Sequence, residues 1–168
     1  MKKEFIEVGT IVNAHGVRGE VKCNPEGFDP EFIAEFDRLF IAGKETAVKA
    51  ARVHKSTVLL TLPGVEDMDA ALAMKGRRVA IARCDAELPE NEYFDAELEG
   101  CMVMDAATGA ELGKLRRVLT YPAHKVYEVK GEKEYLIPAI PGVFIDSVDI
   151  DAGIVRVKMM KGLALDED

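Results

Sequence analysis

Residues 8–22, VGTIVNAHGVRGEVK, decide the fold of this chain. β-branched residues alternate with other residues on both sides of the segment 13–16, and this two-residue period is typical of β-strands. Gly16 and Gly19 lie close together in the turn, which indicates backbone angles or close approaches that a Cβ atom would obstruct. The stretch therefore predicts a β-hairpin that begins a barrel, with Gly16 or Gly19 at positive φ or in tight contact.

The remainder of the first half continues this pattern of short strands, which we expect at residues 39–41, 47–53, 57–62 and 77–82. Two short helices interrupt them. The first follows Asp29-Pro30, an N-cap residue and a first-turn proline, and the second runs from a capping Asp67 to a terminating Gly76. Short strands with two short helices predict a small β-barrel.

The composition changes between residues 85 and 94, where acidic residues and a proline replace large apolar side chains. This segment is predicted to be a linker. Strands resume after it, with turns about every eight to twelve residues, which predicts a second small barrel. The predicted organisation is an N-terminal barrel at 1–84, a linker at 85–94 and a C-terminal barrel at 95–168. The final residues, Leu165–Asp168, are predicted to form a frayed acidic tail.

The composition is that of a cytoplasmic protein without a membrane partner. A chain of 168 residues can bury a substantial core without disulfides. The three cysteines are odd in number and far apart, which favours reduced thiols. No apolar run follows Met1 as in a signal peptide, and no stretch has the apolar length needed to span a bilayer.

The net charge of −8 repels a phosphate backbone. Direct binding to bare nucleic acid is therefore disfavoured, and a protein or composite surface is the favoured partner. Two local basic clusters, Arg77-Arg78 with Arg83 and Lys114 with Arg116-Arg117, are typical of solvated strand faces.

The sequence carries no recognisable motif for catalysis or for metal and cofactor binding. It contains no CxxC or HxxxH pair, no phosphate-binding loop and no Gly-x-Ser-x-Gly. We therefore expect no catalytic residue, no metal site and no cofactor. A small hydrolase with a Cys–His pair stays open as an alternative, because such partners meet only in the folded chain.

Three local features are candidates for binding or structural roles. His15 lies in a glycine turn, where a backbone hydrogen bond is a commoner role for histidine than general base. His124-Lys125 forms a loop tip and is a candidate contact. Tyr93-Phe94 lies at the domain junction, where two aromatic rings either fill the seam or bind a partner.

Several further blocks of sequence, taken with the opening hairpin, identify a family resemblance. In chain order the blocks are Gly9-x-Ile11-x-x-Ala14-His15-Gly16-Val17-x-Gly19-Glu20-Val21, Ala70-Ala71 through Lys75-Gly76, Leu88-Pro89-x-x-x-Tyr93-Phe94, Leu98-x-Gly100-x-x-Val103, Gly109-x-x-x-Gly113, Leu136-Ile137-Pro138 and Gly162-Leu163. They cover nearly the whole chain at family spacing. The sequence therefore resembles the RimM family of bacterial ribosome maturation factors.

The resemblance implies a mostly β protein with an N-terminal barrel similar to those of translation factors and a C-terminal PRC barrel. It also implies a non-enzymatic assembly factor, or chaperone, that binds the head of the immature small (30S) ribosomal subunit. Members contact ribosomal protein number nineteen and assist processing and folding of 16S ribosomal RNA. We expect this chain to do so as a cytoplasmic monomer that touches the RNA indirectly. A PRC-barrel adaptor without a ribosomal role is a further alternative.

The resemblance also assigns roles to individual residues. The aromatic pair near the domain junction, here Tyr93-Phe94, is implicated in binding, and the family usually has tyrosine at the second position. His124-Lys125 stands where the family often carries Asn-Asp, and we include it among the partner-binding residues. The positions that match the family's structural motifs are Gly9, His15, Gly16, Gly19, Gly100 and Pro138.

Overall fold

The computed structural model describes residues 3–164, which form two compact units. One unit consists of Glu4–Glu87, and the other comprises the chain from Leu88 onward together with Lys3. The prediction of a mostly β chain with two barrel-type units is confirmed. The exact limits given for the two domains and the linker stay a prediction, and the predicted acidic tail at 165–168 lies outside the described residues.

The first unit is a seven-stranded antiparallel sheet in the order β4-β3-β7-β1-β2-β6-β5. The long β1 occupies its centre. Helices α1 (Pro30–Ala34) and α2 (Met68–Leu72) lie in the connections. The strands are β1 (Phe5–His15), β2 (Glu20–Pro25), β3 (Arg38–Ile41), β4 (Lys44–Ala47), β5 (Ala50–His54), β6 (Thr57–Thr61) and β7 (Arg78–Ala82).

The predicted single strand at 47–53 is wrong, because the chain crosses between the two edges of the sheet at Val48-Lys49. The N–H of Val48 donates to the carbonyl oxygen of Asp37 beside β3, and the N–H of Lys49 donates to the carbonyl oxygen of Thr61 in β6, both at 2.9 Å. Two neighbouring residues therefore form hydrogen bonds with opposite sides of the sheet. The sheet is therefore curled, as a barrel requires.

The local signals at the first hairpin and at the start of α2 are confirmed, but α2 ends at Leu72 and does not run on to Gly76. Gly16 has φ +70° and Gly19 has φ +90°. A Cβ atom on Gly19 would lie 2.4 Å from the carbonyl oxygen of Val65, whereas one on Gly16 would meet nothing within 4 Å. Asp67 caps α2, since its carboxylate accepts a 2.8 Å hydrogen bond from the N–H of Ala70.

The second unit is a six-stranded sheet in the order β11-β10-β9-β8-β13-β12. Its neighbouring strands are antiparallel except β8 and β13, which pair in parallel through Met102–Asp105 and Ile154–Val157. The strands are β8 (Met102–Asp105), β9 (Glu111–Thr120), β10 (Lys125–Lys130), β11 (Glu134–Pro138), β12 (Ile145–Asp149) and β13 (Ile154–Val157).

A short helix, α3 (Asp95–Leu98), precedes β8 where strands were expected to resume directly. The N–H groups of Glu97 and Leu98 both donate to the carbonyl oxygen of Phe94, at 3.0 and 3.1 Å. Acidic residues in a first turn favour a helix N-terminus. Four residues are too few to show a helical period in the sequence, so this element was missed.

Each unit buries apolar side chains from its strands. Leu98 of α3 joins Val103, Leu115, Val129 and Val155 in the core of the second unit. Cys23 and Cys101 are buried, and Cys84 is exposed. Among the residues that the structure describes, no helix is long and apolar enough to cross a membrane.

Candidate protein-binding site

Two of the predicted binding segments meet on the surface of the second unit. Lys125, the first residue of β10, places its Nζ 2.7 Å from Oδ1 of Asp95, which directly follows Phe94 and begins α3. Both side chains are partly exposed. An ion pair of this kind adds at most about 1 kcal/mol to stability. The ion pair instead positions the 93–95 segment beside the 124–125 loop.

The two aromatic residues at the junction differ in burial. Phe94 is 3% exposed, so in this conformation its ring offers almost no surface to a partner. Tyr93 is half-buried and packs against the core of the second unit with part of its side chain accessible. Neither ring is fully exposed, and Tyr93 is the more accessible of the two.

Tyr93 lines a cleft with a volume of about 310 Å³. The cleft combines aromatic and aliphatic walls with an exposed polar edge at Asn91, Asp146 and Ser147. Mixed walls of this type suit a protein segment that buries an apolar side chain and forms a few hydrogen bonds. The remaining lining residues are Tyr127, Ala139, Pro141, Gly142, Ile145 and Val148.

Tyr127 is a residue of this cleft that sequence reasoning missed. Burial, followed by the neighbouring Asp95, Tyr93 and Cys101, raises the pKa of Tyr127 to about 12. Its hydroxyl therefore stays protonated at physiological pH. Tyr127 follows Lys125 by two residues on β10, and strand alternation sends both side chains to one face. The two-residue spacing from Lys125 is the sequence feature from which Tyr127 could have been predicted.

The His124 side chain is half-buried, and its Nδ1 lies 3.0 Å from the carbonyl oxygen of Lys125. The ring is therefore held by its own loop. Beside it, Tyr121 is 52% exposed. The partner-binding roles of Tyr93, Phe94, His124 and Lys125 stay a prediction.

The residues predicted from structural motifs occupy strands and turns. Gly9 lies in β1, where a Cβ atom would come 2.5 Å from the carbonyl oxygen of Asn24. His15 ends β1 opposite Glu20. Gly100 turns the chain after α3 at φ +90°, and Pro138 ends β11 opposite Val126.

The thiols and imidazoles have surroundings that do not resemble a nucleophile–base pair. Burial, with Glu26 nearby, raises the pKa of Cys23 to about 12, whereas a nucleophilic thiol needs a lowered pKa. Sγ of Cys101 lies 3.4 Å from the carbonyl oxygen of Glu97. Within residues 3–164, no group of three or more His, Cys, Asp or Glu side chains is placed to hold a metal ion.

These surroundings predict selective thiol chemistry. We expect iodoacetamide to modify Cys84 rapidly in the native protein, because Cys84 is exposed while Cys23 and Cys101 are buried. Peptide mass spectrometry would locate the label, with the denatured protein as the control in which all three thiols react. The variant Cys84→Ser should show no fast labelling. Rapid labelling of native Cys23 would contradict this description of the first unit.

Comparisons with known proteins point to one family over nearly the whole chain. The RimM N-terminal domain model matches residues 6–86, and the RimM PRC barrel domain model matches residues 95–163. A Clostridium tetani protein named ribosome maturation factor RimM is 32% identical over 160 residues, which cover 95% of this chain and 96% of that protein. A Clostridium perfringens protein of the same name is 34% identical, with 93% and 94% covered.

Among solved structures, a 16S ribosomal RNA processing protein RimM from Pseudomonas aeruginosa is 29% identical, with a TM-score of 0.45 and coverage of 93% of this chain and 98% of that one. Because family models match both units and relatives above 30% identity match nearly end to end, this chain belongs to the RimM family.

Proposed function

We propose that this protein is a ribosome maturation factor that binds the head of the immature small subunit through ribosomal protein number nineteen and assists 16S ribosomal RNA processing and folding. Its family membership and the names of its relatives support the ribosomal role. The observation that carries the binding site is the Lys125–Asp95 ion pair, which joins two predicted contact segments beside the cleft. It acts in the cytoplasm, as a monomer and without a membrane partner.

Binding alone is sufficient for such a role. A factor that binds one conformation of the subunit head more tightly than another shifts the folding equilibrium of the RNA by that difference in affinity. A tenfold preference corresponds to about 1.4 kcal/mol. No bond needs to be formed or broken, and the thiol and imidazole surroundings in the described chain give no support to the Cys–His alternative.

The charge of the second unit supports a protein partner. Residues 95–168 carry more acidic than basic side chains, and Asp146 lies exposed at the edge of the cleft. Proteins that bind RNA present lysine and arginine to its phosphates. An RNA-binding ribosomal protein therefore has the complementary charge, which favours encounter with this unit. Tyr93 supplies a partly accessible aromatic ring of the kind that commonly anchors such contacts.

Tyr93 tests this proposal. We expect Tyr93→Ala to weaken binding to immature small subunits by about 2 kcal/mol, the scale of an aromatic anchor. Co-sedimentation with the subunits measures the binding. Met160→Ala removes a 49% exposed side chain from the same unit and should leave binding unchanged. Thermal unfolding of both variants controls for stability. Equal binding by the wild type and a folded Tyr93→Ala variant would remove Tyr93 from the interface, and absence of wild-type binding would favour an adaptor without a ribosomal role.

A further inference from the structure

The first unit carries a group of basic side chains that the proposed protein contact does not use. They come from the tip of the first hairpin, from β2 and β5, and from the turn between β5 and β6. We call this group the hairpin basic cluster. Its members are Arg18, Lys22, Arg52 and Lys55, together with His15 and His54.

Strand register places most of this cluster on one face of the sheet. Lys22 pairs with Leu59 of β6, and Leu59 pairs in turn with Arg52 of β5, so the three side chains point to the same side. His54 follows Arg52 by two residues and keeps that side. The His15 and His54 rings lie with their centroids 5.1 Å apart, which joins the hairpin tip to the β5–β6 turn.

The cluster contains more cationic than anionic side chains. Glu20 is its carboxylate, and it is engaged by Arg52 through two hydrogen bonds of 3.0 Å. Within residues 3–164, no carboxylate lies within ion-pair distance of Arg18, Lys22 or Lys55. The nearby Asp67, whose backbone adjoins Gly19, is committed to capping α2.

The titration of His54 reports the same local field. Desolvation, and then the positive charges of His15, Lys55, Lys22 and Arg52, lower the pKa of His54. The positive charges that contribute to this lowering, unlike the desolvation, also favour an incoming anion.

We propose that the hairpin basic cluster binds the phosphodiester backbone of ribosomal RNA directly. This goes beyond the proposed function, which needs only a protein contact, and it replaces the expectation that RNA is touched indirectly. The net charge of −8 opposes non-specific adhesion, so a local cluster would orient the protein on RNA. Cationic side chains that pair with no carboxylate can bind the regularly spaced negative phosphates of an RNA backbone.

The two imidazole rings favour RNA over an acidic protein as the partner. His15 and His54 are half-buried, so each ring presents an edge or a face to solvent. Unstacked bases of RNA pack on such planar rings, and phosphate oxygens accept hydrogen bonds from imidazole N–H groups. Cations with adjoining planar rings therefore suit a folded RNA with accessible loops.

The test compares two double charge reversals in the full-length protein. Arg18→Glu with Lys55→Glu changes two exposed residues in turns. Lys114→Glu with Arg116→Glu changes two exposed residues of β9 in the second unit and alters the net charge equally. Arg117 is left in place because it pairs with Glu128. Fluorescence anisotropy with a 16S ribosomal RNA transcript at several salt concentrations measures binding.

We expect the hairpin variant to bind the transcript at least about tenfold more weakly. The slope of log affinity against log salt should fall by about 1.4 to 1.8, which corresponds to two lost phosphate contacts. The β9 variant should stay within about twofold of the wild type. Equal losses in both variants, no measurable binding by the wild type, or complete competition by polyglutamate would each overturn the proposal.

Co-sedimentation with immature small subunits separates this inference from the proposed function. If the variant Arg18→Glu with Lys55→Glu binds the transcript as tightly as the wild type while Tyr93→Ala still weakens subunit binding, the proposed RNA contact is wrong and the proposed function is supported. If the wild type binds the transcript through the cluster but does not sediment with subunits, the proposed function fails and the RNA contact stands.

Discussion

Replacing Phe94 with alanine is expected to destabilise the protein by about 3 to 5 kcal/mol. The ring is 3% exposed, so its removal loses both the transfer free energy of the buried atoms and the packing around them. The backbone of α3 should persist, because the carbonyl oxygen of Phe94 accepts the hydrogen bonds from Glu97 and Leu98 with any side chain. Denaturant unfolding followed by circular dichroism measures the loss.

Tyr121→Ala is the matched control for Phe94→Ala, since it removes a 52% exposed ring and should cost less than about 1 kcal/mol. The difference in burial also means that Tyr93 and Phe94 must be substituted separately. A double variant would combine a lost contact with a lost core residue. If Phe94→Ala proved as stable as Tyr121→Ala, the burial of this ring would not describe the protein in solution.

Gly19→Ala should destabilise the first unit by about 3 kcal/mol. Two costs combine at this position. Its φ of +90° strains any residue with a Cβ atom, and the added atom would lie 2.4 Å from the carbonyl oxygen of Val65, which is backbone and cannot rotate away. The hairpin tip or the loop before α2 would have to move.

Gly16→Ala separates the two costs, because Gly16 has φ +70° and nothing within 4 Å of the added atom. It should lose about 1 kcal/mol from backbone strain alone. Thermal unfolding of the two variants under one set of conditions gives the comparison. Equal losses at the two positions would mean that the contact with Val65 is relieved without cost.

The sequence allowed prediction of features that depend on neighbouring residues. The hairpin glycines, the Asp67 cap and the succession of short strands all depend on local backbone geometry, and the structure bears them out. Two local elements were nevertheless missed. Helix α3 is too short to show a period, and the crossing at Val48-Lys49 is set by which strand edges each residue meets.

The candidate site was predictable only in part, for a different reason. Tyr93 and the 124–125 loop could be named from the sequence and the family resemblance. Their meeting through Asp95 and Lys125 joins positions 30 residues apart, and a single sequence contains no record of such a pairing. The hairpin basic cluster was missed for the same reason. Lys22 and Arg52 come to one face of the sheet only because both pair with Leu59 on the strand between them.

The parallel pairing of β8 with β13 has a consequence for how the protein is made. Met102–Asp105 are synthesised before their partner strand, Ile154–Val157, has been translated. Until then β8 lacks one neighbour, and β12, which supplies part of the cleft, has no strand to pair with. We therefore expect a chain stalled before Ile154 to lack a formed cleft, so that unfinished copies do not compete with complete ones for their target.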